Sequence, residues 1–222
     1  MKLQIKRLLS IGAILLLGCT SSSTGGPSPD LGGDTTIALG QVGNVFSNIG
    51  GIKVAGEYVP ADVNMTVTKN EGGLATLRVK ADLSKDPKLE KINKRIPSSM
   101  KDASGKVDTE VKLRITSEGV QDFFNRDGAQ HTLVNYSSVV GDTYKLAKSN
   151  GATITRTVVA KSDQDDYPYG FMLIKTMTIE QDSRAVGIKK FVIRANHKFG
   201  IVWFEIVQTD GETIGMSIVS KN

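Results

Sequence analysis

Apolar and polar residues alternate along short stretches of this chain from about residue 50 onward. Residues 63–67 place Val63, Met65 and Val67 at every second position, and residues 75–83 repeat the pattern after Gly72-Gly73. Alternate side chains of a β-strand point to opposite faces, so this period predicts strands rather than helices. The two stretches therefore predict a hairpin with one buried face and one solvated face.

The same alternation continues to the end of the chain and predicts about nine to eleven strands in all. The further predicted strands cover residues 107–116, 130–140, 143–148, 153–161, 171–180, 189–196, 201–209 and 212–219. Asn150-Gly151 separates two of them and predicts a type I′ turn, because that turn needs positive φ at both central residues. The glycine pairs Gly50-Gly51 and Gly72-Gly73 predict turns between strands.

Two short segments predict helices. Residues 86–96 begin with Asp86 as a cap and Pro87 at the first helical position, and their apolar residues recur at helical spacing up to Pro97. The second candidate covers residues 117–125, where Ser117 is a candidate capping residue and Val120, Phe123 and Phe124 share a face. The predicted fold is therefore mainly β: a single antiparallel β-sandwich or strongly curved sheet with one or two short helices.

The first residues have the order of a secretory signal peptide. Lys2, Lys6 and Arg7 form a positive segment, and residues 8–17 carry no charge. Ten uncharged residues suit the apolar segment of a signal peptide, whereas a permanent transmembrane helix needs roughly 20. We therefore predict that residues 1–18 are a signal peptide.

The next residues, Leu16-Leu17-Gly18-Cys19, resemble the lipobox of bacterial lipoproteins. The resemblance implies cleavage before Cys19 and acylation of its sulfur, which would hold the protein stably to a membrane through palmitate and diacylglyceryl chains. Leu17 departs slightly from the family, which usually has a smaller residue there. Thr20, rather than Asp, implies sorting to the outer membrane, with the domain facing the periplasm.

Three regions follow from these patterns. Residues 1–18 are the predicted signal peptide, residues 19–36 a lipidated flexible tether rich in Ser, Thr, Gly and Pro, and residues 37–222 a single β-rich domain. The lipobox, the tether and the late β-meander together resemble small lipoproteins of Bacteroidota. That resemblance rests on no diagnostic motif and implies no activity.

Charge and cysteine content narrow the range of possible functions further. The full chain carries 28 basic and 23 acidic residues, and removal of Lys2, Lys6 and Arg7 with the signal lowers the net charge from +5 to +2. Such a balance argues against nucleic acid as a partner. Cys19 is the only cysteine, so its acylation would leave the domain without disulfides, thiolate metal sites or a cysteine nucleophile.

Residues with catalytic or metal-binding chemistry are few, and the sequence predicts no catalytic, cofactor or metal site. His131 and His197 lack the spacing of a metal motif, and we expect both to be surface or turn residues. Asp163, Asp165 and Asp166 share only part of the calcium-loop pattern, which leaves an irregular calcium loop open beside a solvated connection. The aromatic stretch from Tyr167 to Phe171 is a candidate contact patch.

Three functions are compatible with these features. The first is a non-catalytic binding or structural domain of the cell envelope, held to the membrane by Cys19, with a protein or lipid ligand. The second is a lipid or lipoprotein carrier, by analogy of fold with lipoprotein localisation factors. The third is a hydrolase with an unrecognised site that uses His131, His197 or an acid pair. A carrier predicts an apolar cavity of several hundred Å³ inside the sheet, and a fully packed core would exclude it.

The lipobox hypothesis predicts a specific effect of Cys19→Ala. The variant should incorporate no labelled palmitate, because alanine has no sulfur to acylate, and it should accumulate as uncleaved precursor. Metabolic labelling followed by gel electrophoresis checks both outcomes. Normal processing of the variant would contradict the hypothesis.

Overall fold

A computed structural model describes residues 26–183 and 185–221. The predicted signal peptide and Cys19 lie outside these residues. The prediction of a mainly β fold is confirmed. Of the two predicted alternatives, a β-sandwich and a strongly curved sheet, the structure has the strongly curved antiparallel sheet, which is nearly closed into a barrel. No helix in the described part of the chain is long and apolar enough to cross a membrane.

Fifteen strands and one short α-helix are described. The strands are β1 (Val45–Val54), β2 (Glu57–Val59), β3 (Asp62–Glu71), β4 (Leu74–Asp82), β5 (Val107–Thr116), β6 (Gly119–Asp122), β7 (His131–Asn135), β8 (Thr143–Ala147), β9 (Thr153–Lys161), β10 (Tyr167–Tyr169), β11 (Met172–Ile174), β12 (Met177–Asp182), β13 (Ile188–Asn196), β14 (Gly200–Gln208) and β15 (Thr213–Ser220). The helix is α1 (Glu90–Arg95).

Thirteen of the strands form one sheet. Its order is β7-β6-β5-β4-β3-β1-β15-β14-β13-β12-β9-β8, with β2 paired to β1, while β10 and β11 form a separate hairpin. The pairing of β1 with β15 joins the first and the last of the described strands. On one side of this pair the sheet continues from β1 through β3, β4, β5 and β6 to β7, and on the other side from β15 through β14, β13, β12 and β9 to β8. The sheet curves until these two edge strands, β7 and β8, approach each other.

Side chains bridge the seam between these two edge strands. The backbone N–H of Asn135 on β7 donates to the hydroxyl of Tyr144 on β8 at 3.3 Å, and the Nε2 of His131 lies 3.3 Å from the Tyr144 carbonyl oxygen. Arg156 on β9 donates to the carbonyl oxygen of Thr132 at 2.9 Å. The sheet is therefore closed here by side-chain hydrogen bonds, and no backbone ladder between β7 and β8 is described.

The helix predicted at residues 86–96 is confirmed. The side chain of Asp86 accepts a hydrogen bond from the backbone N–H of Lys88 at 2.8 Å, a 3₁₀ turn begins at Pro87, and α1 follows it. Leu89 is fully buried among apolar residues of β1, β3, β4 and β5. The short helical segment thus covers part of one end of the curved sheet.

The segment from Ser28 to Thr36, predicted as part of a flexible tether, lies against the sheet. The backbone N–H of Ser28 donates to the carbonyl oxygen of Gln130 at 2.9 Å, and Gln121 Nε2 donates to the carbonyl oxygen of Pro29 at 2.8 Å. Ser117 Oγ accepts from the backbone N–H of Asp34 at 2.9 Å. The ordered unit therefore begins before residue 37.

The second predicted helix, residues 117–125, is wrong. Residues 119–122 form β6, which pairs with β5 through a tight turn and with β7 on its other side. Gly119 explains the close pairing, since a Cβ there would lie 2.1 Å from the carbonyl oxygen of Val134. Ser117 binds Asp34 instead of capping a helix. Tertiary pairing overrides the helical spacing of Val120 and Phe124.

Two predicted turns also differ from the structure. Gly50-Gly51 lies inside β1 at a bulge, where a Cβ on Gly51 would lie 2.2 Å from the carbonyl oxygen of Val59. The hairpin at Asn150-Gly151 is present, but of the two residues only Gly151 has positive φ. The N–H of Gly151 donates to the carbonyl oxygen of Lys148, so the turn has one more residue than a type I′ turn.

Candidate functional site

An apolar cavity of about 380 Å³ lies inside the curved sheet. Its walls are inward-facing side chains of β3, β4, β5, β13, β14 and β15, among them Met65, Leu77, Leu113, Ile193, Phe204 and Met216. A volume of this size falls in the range of about 300–1,000 Å³ that is typical of small-molecule sites. The cavity is the principal candidate site among the described residues.

The two ends of the cavity differ. At one end, which we call the Leu39 end, Leu39 is buried among Phe46, Leu77 and Ile115. Gly200 allows this closure, because a Cβ there would lie 3.2 Å from Leu39 Cδ1. At the other end, which we call the Phe124 end, Phe124 lines the cavity and is 55% exposed. The cavity is therefore closed at the Leu39 end and open to solvent beside Phe124.

A polar cluster interrupts the apolar wall. Arg156 on β9, Asp122 at the end of β6 and Gln181 on β12 all line the cavity. Arg156 Nη2 lies 2.7 Å from Asp122 Oδ2, and its Nε donates to Gln181 Oε1 at 2.7 Å. Arg156 and Asp122 are only 3% and 1% exposed. A charged pair buried this deeply is uncommon and marks a candidate functional group.

The ion pair is close but imperfectly aligned. The contact between Arg156 Nη2 and Asp122 Oδ2 lacks the alignment of a regular hydrogen bond, although the two charged atoms are only 2.7 Å apart. Asp122 Oδ1 accepts instead from the backbone N–H of Phe124 at 3.1 Å. Burial raises the pKa of Asp122, and the Arg156 charge opposes that shift. Burial also lowers the pKa of Arg156, against the charge of Asp122.

His131 is buried, so its predicted place on the surface or in a turn is wrong. It pairs in register with Asp122 and is fully inaccessible to solvent. Because Nε2 faces the Tyr144 carbonyl oxygen it must carry the proton, and Nδ1 has no hydrogen-bond partner. Burial, and then the nearby Arg156 charge, lower the pKa of His131 to about 4. His197, in contrast, is exposed in the β13–β14 turn, as expected.

The acidic loop and the aromatic stretch lie outside the cavity. The Oδ2 of Asp166 accepts a hydrogen bond from Ser162 Oγ at 2.7 Å, and the described residues contain no cluster of three or more metal-ligating side chains. Tyr169 is buried against Val202 and Ile174 on the outer face of the sheet. Phe171, at the tip of the β10–β11 hairpin, is fully exposed, and the contact patch stays a prediction.

The lining of the cavity is mostly apolar, and its charged or amide side chains are Asp122, Arg156 and Gln181. The residues that line it include no Ser, Thr, His or Lys. A second, solvent-facing groove lies between Asp62, Lys80, Asp82 and Asp108. Three of its carboxylates are in ion pairs, for example Asp108 with Arg78 at 2.7 Å and Asp82 with Lys106 at 3.0 Å. Asp102, which also lines the groove, accepts hydrogen bonds from Ser104 Oγ and from the backbone N–H of Lys106.

Comparison with known proteins adds no relative. Scans against protein-family models, characterised proteins and solved structures each found no match to this chain. The site must therefore be interpreted from its own geometry.

The sequence contains one signal for the polar cluster. Arg156 stands between Ile154 and Val158 in a stretch of alternating residues, at a position that the period assigns to the buried face. A charged residue at such a position must find a buried partner. That partner, Asp122, lay in the segment predicted as a helix. Its position opposite Arg156 depends on pairings between strands distant in sequence.

The burial of neutral His131 predicts a pH-dependent stability. Its pKa is about 4 when folded and about 6.5 in an unfolded chain. Its contribution is complete above pH 6.5 and is lost as pH falls towards 4, because the unfolded chain then binds one more proton. Urea unfolding between pH 7 and pH 4 should show that His131→Gln removes a slope of up to about 1.4 kcal/mol per pH unit.

The matched control is the same substitution at the exposed histidine. His197→Gln should leave the pH dependence of the unfolding free energy unchanged. Equal slopes for the wild type and His131→Gln would show that folding does not lower the pKa of His131.

Proposed function

We propose that this protein is a membrane-anchored cell-envelope lipoprotein whose β-rich domain binds a single-chain apolar ligand in the cavity. The observation that carries the proposal is the cavity of about 380 Å³, lined by inward-facing apolar side chains and closed at one end. At the roughly 30 Å³ that a water-sized group occupies in a liquid, it accommodates about a dozen methylene groups.

The unfilled space inside the sheet supports a ligand-binding role for the domain rather than a purely structural one. Protein interiors contain few voids larger than a water molecule, and an unfilled cavity costs stability in proportion to its volume. Leu113, Phe204 and Met216 line the cavity and are only partly buried. An alkyl chain in the cavity would bury these side chains and contribute about 0.8 kcal/mol for each methylene removed from water.

The predicted anchor is compatible with a ligand taken from the membrane. Ser28 is hydrogen-bonded to Gln130 and Thr132, next to the loop that carries Phe124. Cys19 precedes Ser28 by nine residues, which span at most about 30 Å. Lipid on Cys19 would therefore hold the Phe124 end of the domain near the bilayer, and we propose the periplasmic face of the outer membrane as its location.

Among the three functions that the sequence leaves open, the carrier has the most structural support. A hydrolase would require a nucleophile and a base at the cavity, and His131 does not line it. A binding or structural domain without a ligand would leave the cavity unexplained. We therefore treat protein contacts at Phe171 as secondary to ligand binding.

Filling the cavity tests the proposal. The purified protein, stripped of lipid on a hydrophobic resin, should enhance the fluorescence of N-phenyl-1-naphthylamine and bind about one molecule per chain. Leu113→Trp should weaken this binding at least tenfold, because the indole would occupy the space of the ligand. Lipid that co-purifies with the wild type should be absent from the variant in native mass spectrometry.

The control changes the adjacent residue on the opposite face of the same strand. Lys112 is exposed, so Lys112→Trp should bind the probe as the wild type does. No binding by the wild type, or equal binding by Leu113→Trp and Lys112→Trp when both are folded, would refute the proposal.

A further inference from the structure

We propose that the cavity selects a neutral, hydroxyl-bearing amphiphile, with the hydroxyl group bound by both Arg156 and Asp122 and the alkyl chain along the apolar wall. This inference rests on the proposed function, since it assumes that the cavity takes an alkyl chain. It adds the chemical class of the head group.

The hydrogen bonds of Arg156 leave limited capacity for a ligand. A guanidinium group has five N–H donors. Nε donates to Gln181, and Nη1 donates to the carbonyl oxygens of Thr132 at 2.9 Å and His131 at 3.4 Å. The two donors that remain are on Nη2, which contacts Asp122 Oδ2 without an aligned hydrogen bond. Nη2 and Oδ2 therefore lie in contact with each other, and each keeps hydrogen-bonding capacity for a ligand.

A hydroxyl group matches this arrangement, because it accepts one hydrogen bond and donates another. Its oxygen would accept from Arg156 Nη2, and its proton would be donated to Asp122 Oδ2. The ligand would then satisfy a carboxylate oxygen that is buried and has no aligned partner in the protein.

Charged head groups fit poorly. Asp122 already balances the charge of Arg156 at 2.7 Å, so a ligand carboxylate would place two carboxylates against one guanidinium in an apolar wall. An ammonium head would face the guanidinium itself. Either ion would also lose its hydration without a counter-charge of its own, which is costly. An ether or an alkane has no proton to donate to Oδ2.

The position of the cluster sets the direction of the ligand. Asp122 is the last residue of β6 and lies next to Phe123 and Phe124, where the cavity opens. Leu39 closes the opposite end. A ligand whose hydroxyl group binds at the cluster therefore extends its chain from the Phe124 end towards Leu39, in wholly apolar surroundings.

Competition with ligands that share one chain length tests the head group. Decan-1-ol, decanoate, decylammonium and 1-methoxydecane should displace N-phenyl-1-naphthylamine from the wild type at pH 7.5 with different affinities. Decan-1-ol should bind at least tenfold more tightly than decanoate or decylammonium. It should also bind several-fold more tightly than 1-methoxydecane, which accepts a hydrogen bond but does not donate one.

Asp122→Asn should shift the preference towards decanoate. The substitution removes the negative charge and leaves the Arg156 charge uncompensated, so the affinity for decanoate relative to decan-1-ol should rise at least tenfold. Asp108→Asn is the matched control, because Asp108 pairs with Arg78 on the solvent-facing side. Its ligand preference should equal that of the wild type.

The outcomes separate the inference from the proposed function. If the probe binds but decanoate or 1-methoxydecane competes as well as decan-1-ol on the wild type, the head-group inference is wrong and the cavity recognises only the chain. The wild-type series decides this even if Asp122→Asn does not fold. If a folded Asp122→Asn keeps the wild-type preference, the inference is also wrong. If the probe does not bind at all, the proposed function fails, and the inference fails with it.

Discussion

The buried contact between Arg156 and Asp122 is the interaction on which the closed shape of this domain depends. It joins β9 to β6 across the seam between the edge strands β7 and β8. The guanidinium also binds the carbonyl oxygens of His131 and Thr132 on β7. A backbone ladder would close the sheet without buried charge. Here one side chain spans three strands, and its hydrogen bonds offset the cost of desolvating the two ions.

The same cluster determines what the interior can hold. A sheet of thirteen strands encloses more space than its own side chains fill, and the cavity of about 380 Å³ is the result. Leu39 closes one end and the helical segment around Leu89 covers part of the other. The charged pair lies on the wall near the opening at Phe124. The interior therefore combines an apolar chain site with one polar group, as binding sites for amphiphiles require.

Local patterns predicted most of the sheet and little of the site. Alternation located β3, β4 and β5 because each has one buried and one solvated face, and Asp86-Pro87 marked the helical segment because capping is local. β1 was missed since Gly50-Gly51 resembles a turn in sequence. Its glycines are needed instead for a bulge beside Val59. Asp122 and His131 meet Arg156 only after distant strands pair, and no local pattern records that pairing.

The most direct test is a crystal structure of the protein with 10-bromodecan-1-ol, in which the anomalous signal of bromine locates the end of the chain. One bromine peak is expected inside the sheet, towards Leu39, with density for the hydroxyl group in contact with both Arg156 and Asp122. Bromine on the outer face of the sheet, or a cavity closed by rearranged side chains, would contradict it.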